Sequence, residues 1–328
     1  MPPWAPDGAG DPRVAAAARV PAQPRLKPLA ILGPTAAGKT AVAVAVADHV
    51  GGEVISFDSR QVYRGIEVSS NAPTREERGP VPVHLVGELG PHEEMTAARY
   101  VAMARAAGAG IPAGRPHVLT AGTGMYLKAY LDDLDLGGMG AVPGLREQLE
   151  KEAKRDLAGL ARRLQDLSPD LAAQTDLRNP ARVVRRMELL WAAALAQDQA
   201  DAVPTMAARR VEAVKVGLNV PADVLETRIA KRIDRMLEAG WRDEVEALLA
   251  ATPPPGEQVM KSIGVAEMAA HLRGEISEAE VRDTVQLRTR QYAKRQRTWF
   301  RADPEVRWLD AGNQPLSDIV EVILEMVN

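Results

Sequence analysis

At 328 residues and 35.3 kDa, the chain is long enough for about two domains. With 46% hydrophobic and 26% charged residues it can bury a sizeable core, which excludes a wholly disordered or fibrous protein, and its lack of cysteine excludes disulfides, thiolate zinc sites, iron–sulfur clusters and a cysteine nucleophile. Lys plus Arg number 41 against 44 Asp plus Glu, a net charge of −3, so any surface for nucleic acid must be local.

Residues 1–27 are rich in Pro, Ala and Gly and are expected to form a disordered tail; Arg and Ala make a targeting peptide the alternative. No stretch approaches the ~18 apolar residues of a membrane span. The apolar run 28–32 reads as a buried strand and the Ala-rich run 41–50 as a helix. Residues 53–57 (EVISF) read as a second strand, 96–108 as a helix, and 117–121 (HVLTA) as a third strand. Strands alternating with helices predict an α/β fold with a parallel sheet, whose ligands bind at the carboxyl ends of the strands.

From about residue 143 the texture changes. Residues 145–167 are charged and helical, Asn179-Pro180 interrupts the chain, and 183–196 read as a further helix. No strand pattern occurs between 137 and 209. The expected organisation is therefore a catalytic core from 28–140 and 205–328, with an all-helical insertion at 141–204. Residues 210–220 alternate and read as a strand returning to the sheet. Residues 222–250 read as one long amphipathic helix, 252–256 as a loop, and 277–301 as a basic helix.

Gly33-Pro34-Thr35-Ala36-Ala37-Gly38-Lys39-Thr40 fits GxxxxGK[ST], between a predicted strand and a predicted helix. Such a loop turns its N–H groups inward around phosphate oxygens, and the helix N-terminus adds positive potential. Lys39 supplies a full charge, and the Thr40 hydroxyl is a candidate Mg²⁺ ligand. The loop specifies a phosphate chain, not ATP. Asp58 follows the second strand, where a carboxylate can act as general base or ligate Mg²⁺, or can simply cap a turn. Thr123, in the turn after the third strand, can hydrogen-bond a base or a phosphate, or cap the next helix.

These turns stand as GPTAAGKT at 33–40, DSRQVYRGI at 58–66 and AGTGMY at 121–126. NPARVVRRMELL follows at 179–190, RIAKRIDRMLEAGWRDEV at 228–245, SIGVAEM at 262–268 and RQYAKRQRTWFR at 290–301. In kind and order these seven segments resemble the tRNA dimethylallyltransferases, also called tRNA isopentenyltransferases, over roughly residues 28–310. The resemblance implies a P-loop core with a helical insertion that grips the anticodon stem-loop of tRNA. It implies Mg²⁺-assisted transfer of a dimethylallyl group from dimethylallyl diphosphate to N6 of the adenosine immediately 3′ of the anticodon. A cytoplasmic monomer is expected.

By the same resemblance, Asp58 is the base, Lys39 and Thr40 act on the diphosphate, and Thr123 contacts the target nucleotide. Gly33, Thr35, Ala36, Ala37 and Gly38 complete the cradle, and either Arg228 or Arg232 adds a cation to the leaving group. Expected tRNA contacts are Asp58, Ser59, Arg60 and Gln61, then Arg146 and the run Ala181, Arg182, Val183, Val184 and Arg185. Lys261, Ser262, Ile263, Gly264, Val265 and Ala266 form a further contact loop, and Gln291, Lys294 and Arg295 lie on the basic helix. That helix carries Arg282, Arg288, Arg290, Lys294, Arg295, Arg297 and Arg301, with Gln291, Gln296, Trp299 and Phe300 interleaved. Basic residues among aromatics suit a phosphate backbone and unstacked bases, although a solvated face with Trp299 and Phe300 in the core is the alternative.

Three departures from the family pattern stand out. Ala72 occupies the place of a usual Lys, Val265 that of a usual Tyr, and Ala121 that of a usual Gly. Three other readings compete: a P-loop kinase for a small metabolite, a transferase that prenylates free AMP, ADP or ATP, and an RNA-binding protein without catalysis. The first two leave the helical insertion without a role.

Overall fold

The computed structural model describes residues 27–132, 144–197 and 210–327; residues 1–26 of the expected tail lie outside them. β1 (Leu29–Leu32) feeds α1 (Lys39–Val50), and β2 (Glu53–Phe57) follows. Short helices α2 (Glu67–Ser70) and α3 (Arg75–Arg78) lead to β3 (Val83–His84). Then come α4 (Ala97–Gly110), β4 (His117–Ala121) and α5 (Gly124–Leu131). Among the described residues, three helices without a strand follow, α6 (Leu145–Leu167), α7 (Pro169–Ala173) and α8 (Pro180–Gln197). The chain re-enters the sheet at β5 (Val214–Asn219) and continues through α9 (Ala222–Glu238), α10 (Trp241–Leu249), α11 (Glu257–Met260) and α12 (Val265–Leu272). It ends with the long α13 (Glu278–Arg301), β6 (Arg307–Asp310) and α14 (Leu316–Val327).

The six strands form one parallel sheet in the order β3-β2-β4-β1-β5-β6. β1 and β2 are buried along their whole length, Glu53 and Ser56 included, because both faces of the sheet are covered. Their alternation splits two cores. Ala30, Leu32, Ile55, Phe57 and Leu119 meet Tyr100, Leu127 and Phe300 on one face. Leu29, Ile31, Val54, Val118 and Val216 meet α1, Leu225, Ile319 and Ile323 on the other. β4 lies between β1 and β2, so the turns after all three strands open side by side at one edge of the sheet.

Helices α6 and α8 bury their own apolar cluster, with Leu149, Leu160, Leu164, Val183, Val184 and Met187 at its centre. Within α6 the backbone leaves helical geometry at Asp156, whose Oδ1 accepts the Gly159 N–H at 2.8 Å and restarts the helix. Asn179-Pro180 begins α8 rather than interrupting the chain. The Asn179 carbonyl and side-chain oxygen accept first-turn N–H groups, and Pro180 takes the first helical position, where no N–H is needed. The single helix expected over 222–250 is two, because the chain turns at Gly240 with φ 83° before Trp241 enters the core. Among the described residues, no helix is long and apolar enough to cross a membrane.

Candidate active site

The three turns converge on a cleft of ≈ 1100 Å³. Its floor is the loop from Gly33 to Thr40, which joins β1 to α1. Gly38 sits at φ 88°, a left-handed conformation that suits glycine and aims the first-turn amides of α1 into the cleft. Those amides have no intrahelical partner and form a ready anion site. The Lys39 ammonium donates to the Pro34 carbonyl at 2.8 Å, curled over its own loop. Burial pulls its pKa down to about 8; nearby Asp58 opposes that shift and Arg232 adds to it. Thr40 and Asp58 line the same cleft, two hard oxygen donors within one cavity.

The two candidate arginines, one turn apart on α9, have different surroundings. Arg228 also lines the cleft, but it is tied to main-chain carbonyls of Gly312 at 2.7 Å and Ala311 at 3.2 Å and reaches the cradle only at the Ala37 carbonyl, at 3.5 Å. Arg232 donates to the Thr35 hydroxyl at 3.0 Å and faces the cradle. Burial lowers its pKa to about 10, with Asp58 opposing and Arg235 reinforcing the shift.

Asp58 is held by its backbone and by one of its oxygens. Tyr100, fully buried, donates to the Ser56 carbonyl at 2.6 Å and accepts the Asp58 N–H at 3.1 Å. Burial, with the negative charge of Asp58 second, keeps the Tyr100 phenol protonated well above its usual range. Asp58 Oδ1 accepts the N–H groups of Arg60 at 2.8 Å and Gln61 at 3.3 Å, and Oδ2 makes no hydrogen bond to the described protein groups. One oxygen is thus anchored and the other is free for chemistry. The Thr123 hydroxyl accepts the Ser59 N–H at 3.2 Å, and the Phe57 carbonyl accepts the N–H groups of Gly122 and Thr123 at 3.1 and 2.9 Å. The Asp58 and Thr123 turns are therefore stitched to each other.

The basic helix α13 crosses this edge. Gln296, 5% exposed, accepts the Thr35 N–H at 2.7 Å and donates to the Gly122 carbonyl at 2.7 Å. Tyr292 donates to the same carbonyl at 3.3 Å; burial, then Asp58, push its pKa up to about 12. Most of the helix's cations are already committed. Arg282 pairs with Asp234, Arg288 with the buried Glu267, and Arg290 with Glu226. Arg297 donates to the Val220 carbonyl at 2.8 Å and Arg301 reaches Asn219 at 3.5 Å. Lys294 and Arg295 are exposed without an ion pair among the described residues, although Arg295 stands 5.8 Å over the Tyr292 ring. Gln291 is exposed beside them.

The remaining sequence-predicted positions divide into surface and core. Arg182 and Ala181 are exposed, and Arg146 and Arg185 converge on Glu188 at 3.5 and 3.4 Å. Val183 and Val184, however, are 0% and 2% exposed in the core of the helix pair, so their side chains are not RNA contacts. The loop from Lys261 to Ala266 splits the same way. Lys261 is exposed and pairs with Glu257, whereas Ser262 is buried with its hydroxyl on the Gln258 carbonyl at 3.2 Å. Val265 is wholly buried, so this position faces the core and not a nucleic acid. Ile263 and Ala266 are half-buried, and Gly264 donates its N–H to Glu267 at 2.8 Å. Arg60 lines the cleft and donates to the Gln258 carbonyl at 2.5 Å, and Gln61 spans to the Asn71 carbonyl at 2.9 Å. Gln296, Tyr292 and Tyr100 were not singled out from the sequence as site residues. For Gln296 a signal was present: with Thr289, Ala293 and Phe300 it marks the buried stripe of the helix.

A parallel sheet with a phosphate cradle after its central strand, a carboxylate and a hydroxyl after the two neighbouring strands, and a basic helix across the opening define a P-loop transferase core. A family model described as IPP transferase matches residues 61–303, and one described as isopentenyl transferase matches residues 27–80. A tRNA dimethylallyltransferase of Anaeromyxobacter dehalogenans is 40% identical over 289 residues, covering 87% of this chain and 95% of that one. One from Symbiobacterium thermophilum is 38% identical over 306 residues, covering 91% and 95%. The crystal structure of the tRNA isopentenylpyrophosphate transferase of Bacillus halodurans superposes with a TM-score of 0.67 at 32% identity, covering 92% and 97%. A eukaryotic dimethylallyltransferase acting on tRNA shares the fold, with a TM-score of 0.74 at 24% identity over 88% of this chain and 74% of that one. The chain belongs to the tRNA dimethylallyltransferase (IPP transferase) family and is an enzyme that prenylates adenosine in tRNA.

Proposed function

We propose that the protein transfers the dimethylallyl group of dimethylallyl diphosphate to N6 of the adenosine immediately 3′ of the anticodon, releasing diphosphate. The observation that carries this reading is one carboxylate, Asp58, that shares a cleft with Lys39, Thr40 and Arg232 and whose turn is stitched to the Thr123 turn. The cradle amides, Lys39 and Arg232 hold the diphosphate and stabilise its charge as the allylic C–O bond breaks. The exocyclic amine of adenine is a weak nucleophile, because its lone pair is delocalised into the ring. The free oxygen of Asp58 takes the N6 proton as the new C–N bond forms. The Thr123 hydroxyl, which accepts the Ser59 N–H and hydrogen-bonds to Tyr292, would exchange the Tyr292 contact for the target nucleotide.

Among the described residues, no group of three or more His, Cys, Asp or Glu gathers to hold a metal. The Thr40 hydroxyl would hold Mg²⁺ directly and Asp58 through a metal-bound water, which leaves its free oxygen for the N6 proton; Mg²⁺ takes few protein ligands and completes its shell with phosphate and water. Bound there, Mg²⁺ supplies charge neutralisation to the departing diphosphate.

Lys294, Arg295 and Gln291 on α13, with Arg146, Arg182 and Arg185 on the helix pair, are the proposed grip on the anticodon stem-loop. A free-nucleotide acceptor would leave the exposed Lys294, Arg295 and Arg182 without a role. The target base leaves the loop stack to reach Asp58, at an unstacking cost of a few kcal/mol. Action as a monomer in the cytoplasm completes the reading. The test uses two stem-loop RNAs with labelled dimethylallyl diphosphate. The expected outcome is label on the RNA with adenosine next to the anticodon, and none on the RNA with guanosine there. Equal labelling of both would refute the assigned acceptor position.

A further inference from the structure

We infer that Gln296 is a positioning residue that sets the spacing between the donor cradle and the acceptor turn. The inference rests on the proposed transfer reaction. The two halves of that reaction sit on different loops, the diphosphate after β1 and the adenosine after β2 and β4. Adjacent strands fix where the loops start, but not how far their tips stand apart. One buried side chain spans the tips. The Gln296 carbonyl takes the Thr35 N–H at 2.7 Å, and its amide NH₂ donates to the Gly122 carbonyl at 2.7 Å. Both ends of the amide are used, and it is 5% exposed.

The neighbours make this strut stiff. Arg232 holds the Thr35 hydroxyl at 3.0 Å, so the donor end is fixed through side chain and backbone. At the acceptor end, Tyr292 shares the Gly122 carbonyl at 3.3 Å. Gly122 itself leaves no slack: a Cβ added there would lie 2.8 Å from Asp58 Oδ2 and 3.4 Å from Gln296 Nε2. Gly122 thus lies close to both the proposed base and the strut, with no room for a side chain between them. Thr35 lies in the first half of the loop, and its engaged N–H leaves the first-turn amides of α1 to the diphosphate. Gln296 touches the cradle backbone and the turn, not the proposed reacting atoms, so its effect falls on their separation.

The substitution Gln296→Met keeps the volume and removes both hydrogen bonds. Gln296→Asn keeps both hydrogen-bonding groups but is one methylene too short to span the gap. Reacting atoms displaced by about 1 Å can lose on the order of 100-fold in rate. Single-turnover transfer of labelled dimethylallyl to tRNA, with both substrates saturating, is expected to slow at least ~10-fold in each variant. The KM of each substrate should stay within about threefold, because the cradle amides and the exposed cations are untouched. A purely structural role would lower the melting temperature while leaving the rate of the folded enzyme unchanged, so rates are measured well below each variant's melting temperature.

Gly122→Ala perturbs the same gap from the other side. It is expected to slow transfer, and the double variant to lose less than the product of the two single losses. Multiplicative losses, single-turnover rates within about threefold of wild type in both Gln296 variants, or a loss confined to KM would each overturn the inference. An inactive wild type would overturn the underlying reaction, and this inference with it.

Discussion

Replacing Asp58 with Asn probes the proposed base with little change in shape. Oδ1 of Asp58 accepts the Arg60 and Gln61 N–H groups at 2.8 and 3.3 Å, and an Asn carbonyl can accept both. The turn should persist, at a cost to folding of about 1 kcal/mol from exchanging charged for neutral hydrogen bonds. The group replaced is Oδ2, which makes no hydrogen bond to the described protein groups. General-base catalysis is worth roughly 10²- to 10⁴-fold, or about 2.7–5.5 kcal/mol of barrier. There is a second effect. The charge of Asp58 raises the pKa of Lys39 and of Arg232, so its loss lets burial pull the Lys39 pKa below about 8. Donor binding should therefore weaken as well, and the assay must saturate with donor near pH 7. Single-turnover label transfer is expected to fall roughly 100-fold or more, with tRNA binding and the melting temperature little changed. A variant that binds both substrates and retains transfer within about fivefold of wild type would refute the base assignment.

The two arginines of α9 should separate by phenotype. Arg232→Ala removes a cation facing the cradle and should lower the transfer rate; Arg228→Ala should chiefly cost stability, by freeing the Gly312 and Ala311 carbonyls, as thermal melts would register. Lys39 binds diphosphate in its charged form, so its contribution is present below its pKa of about 8 and lost as pH rises through it. The donor KM should therefore climb above pH 8, and Lys39→Arg should move that limb upward; a flat profile to pH 10 would contradict the assignment. Lys294→Ala and Arg295→Ala should each weaken tRNA binding and reduce the slope of log K against log salt by roughly 0.7–0.9, while leaving the donor KM unchanged. An unaltered slope would remove these two cations from the interface.

Much of the site is legible in the chain because strands and turns are locally encoded. The apolar runs ending at Leu32, Phe57 and Ala121 are strands buried on both faces, and each hands over to a turn rich in Gly, Asp or Thr. The edge strands are not legible. Val83–His84 is two residues long, and Arg307–Asp310 mixes charge with half-buried Trp308 and Leu309, so neither carries a pattern. The turn at Gly240 is hidden because helical periodicity resumes at once on its far side. Sequence motifs also do not separate inward from outward side chains. Val183, Val184, Val265 and Ser262 fall within motif segments but are core, whereas Gln296 lies among exposed cations yet points inward to two loops distant in sequence. Which cations of α13 are free depends on Asp234, Glu226 and Glu267 in helices elsewhere in the chain, information the helix itself does not hold.

The most direct test of function compares acceptors side by side. Wild-type protein and Lys39→Ala would each receive labelled dimethylallyl diphosphate and Mg²⁺, with unmodified tRNA carrying adenosine next to the anticodon or with AMP. The expected result is label on tRNA with wild type, none on AMP, and none on either with Lys39→Ala. Label on AMP alone, or none on either acceptor with wild type, would contradict it.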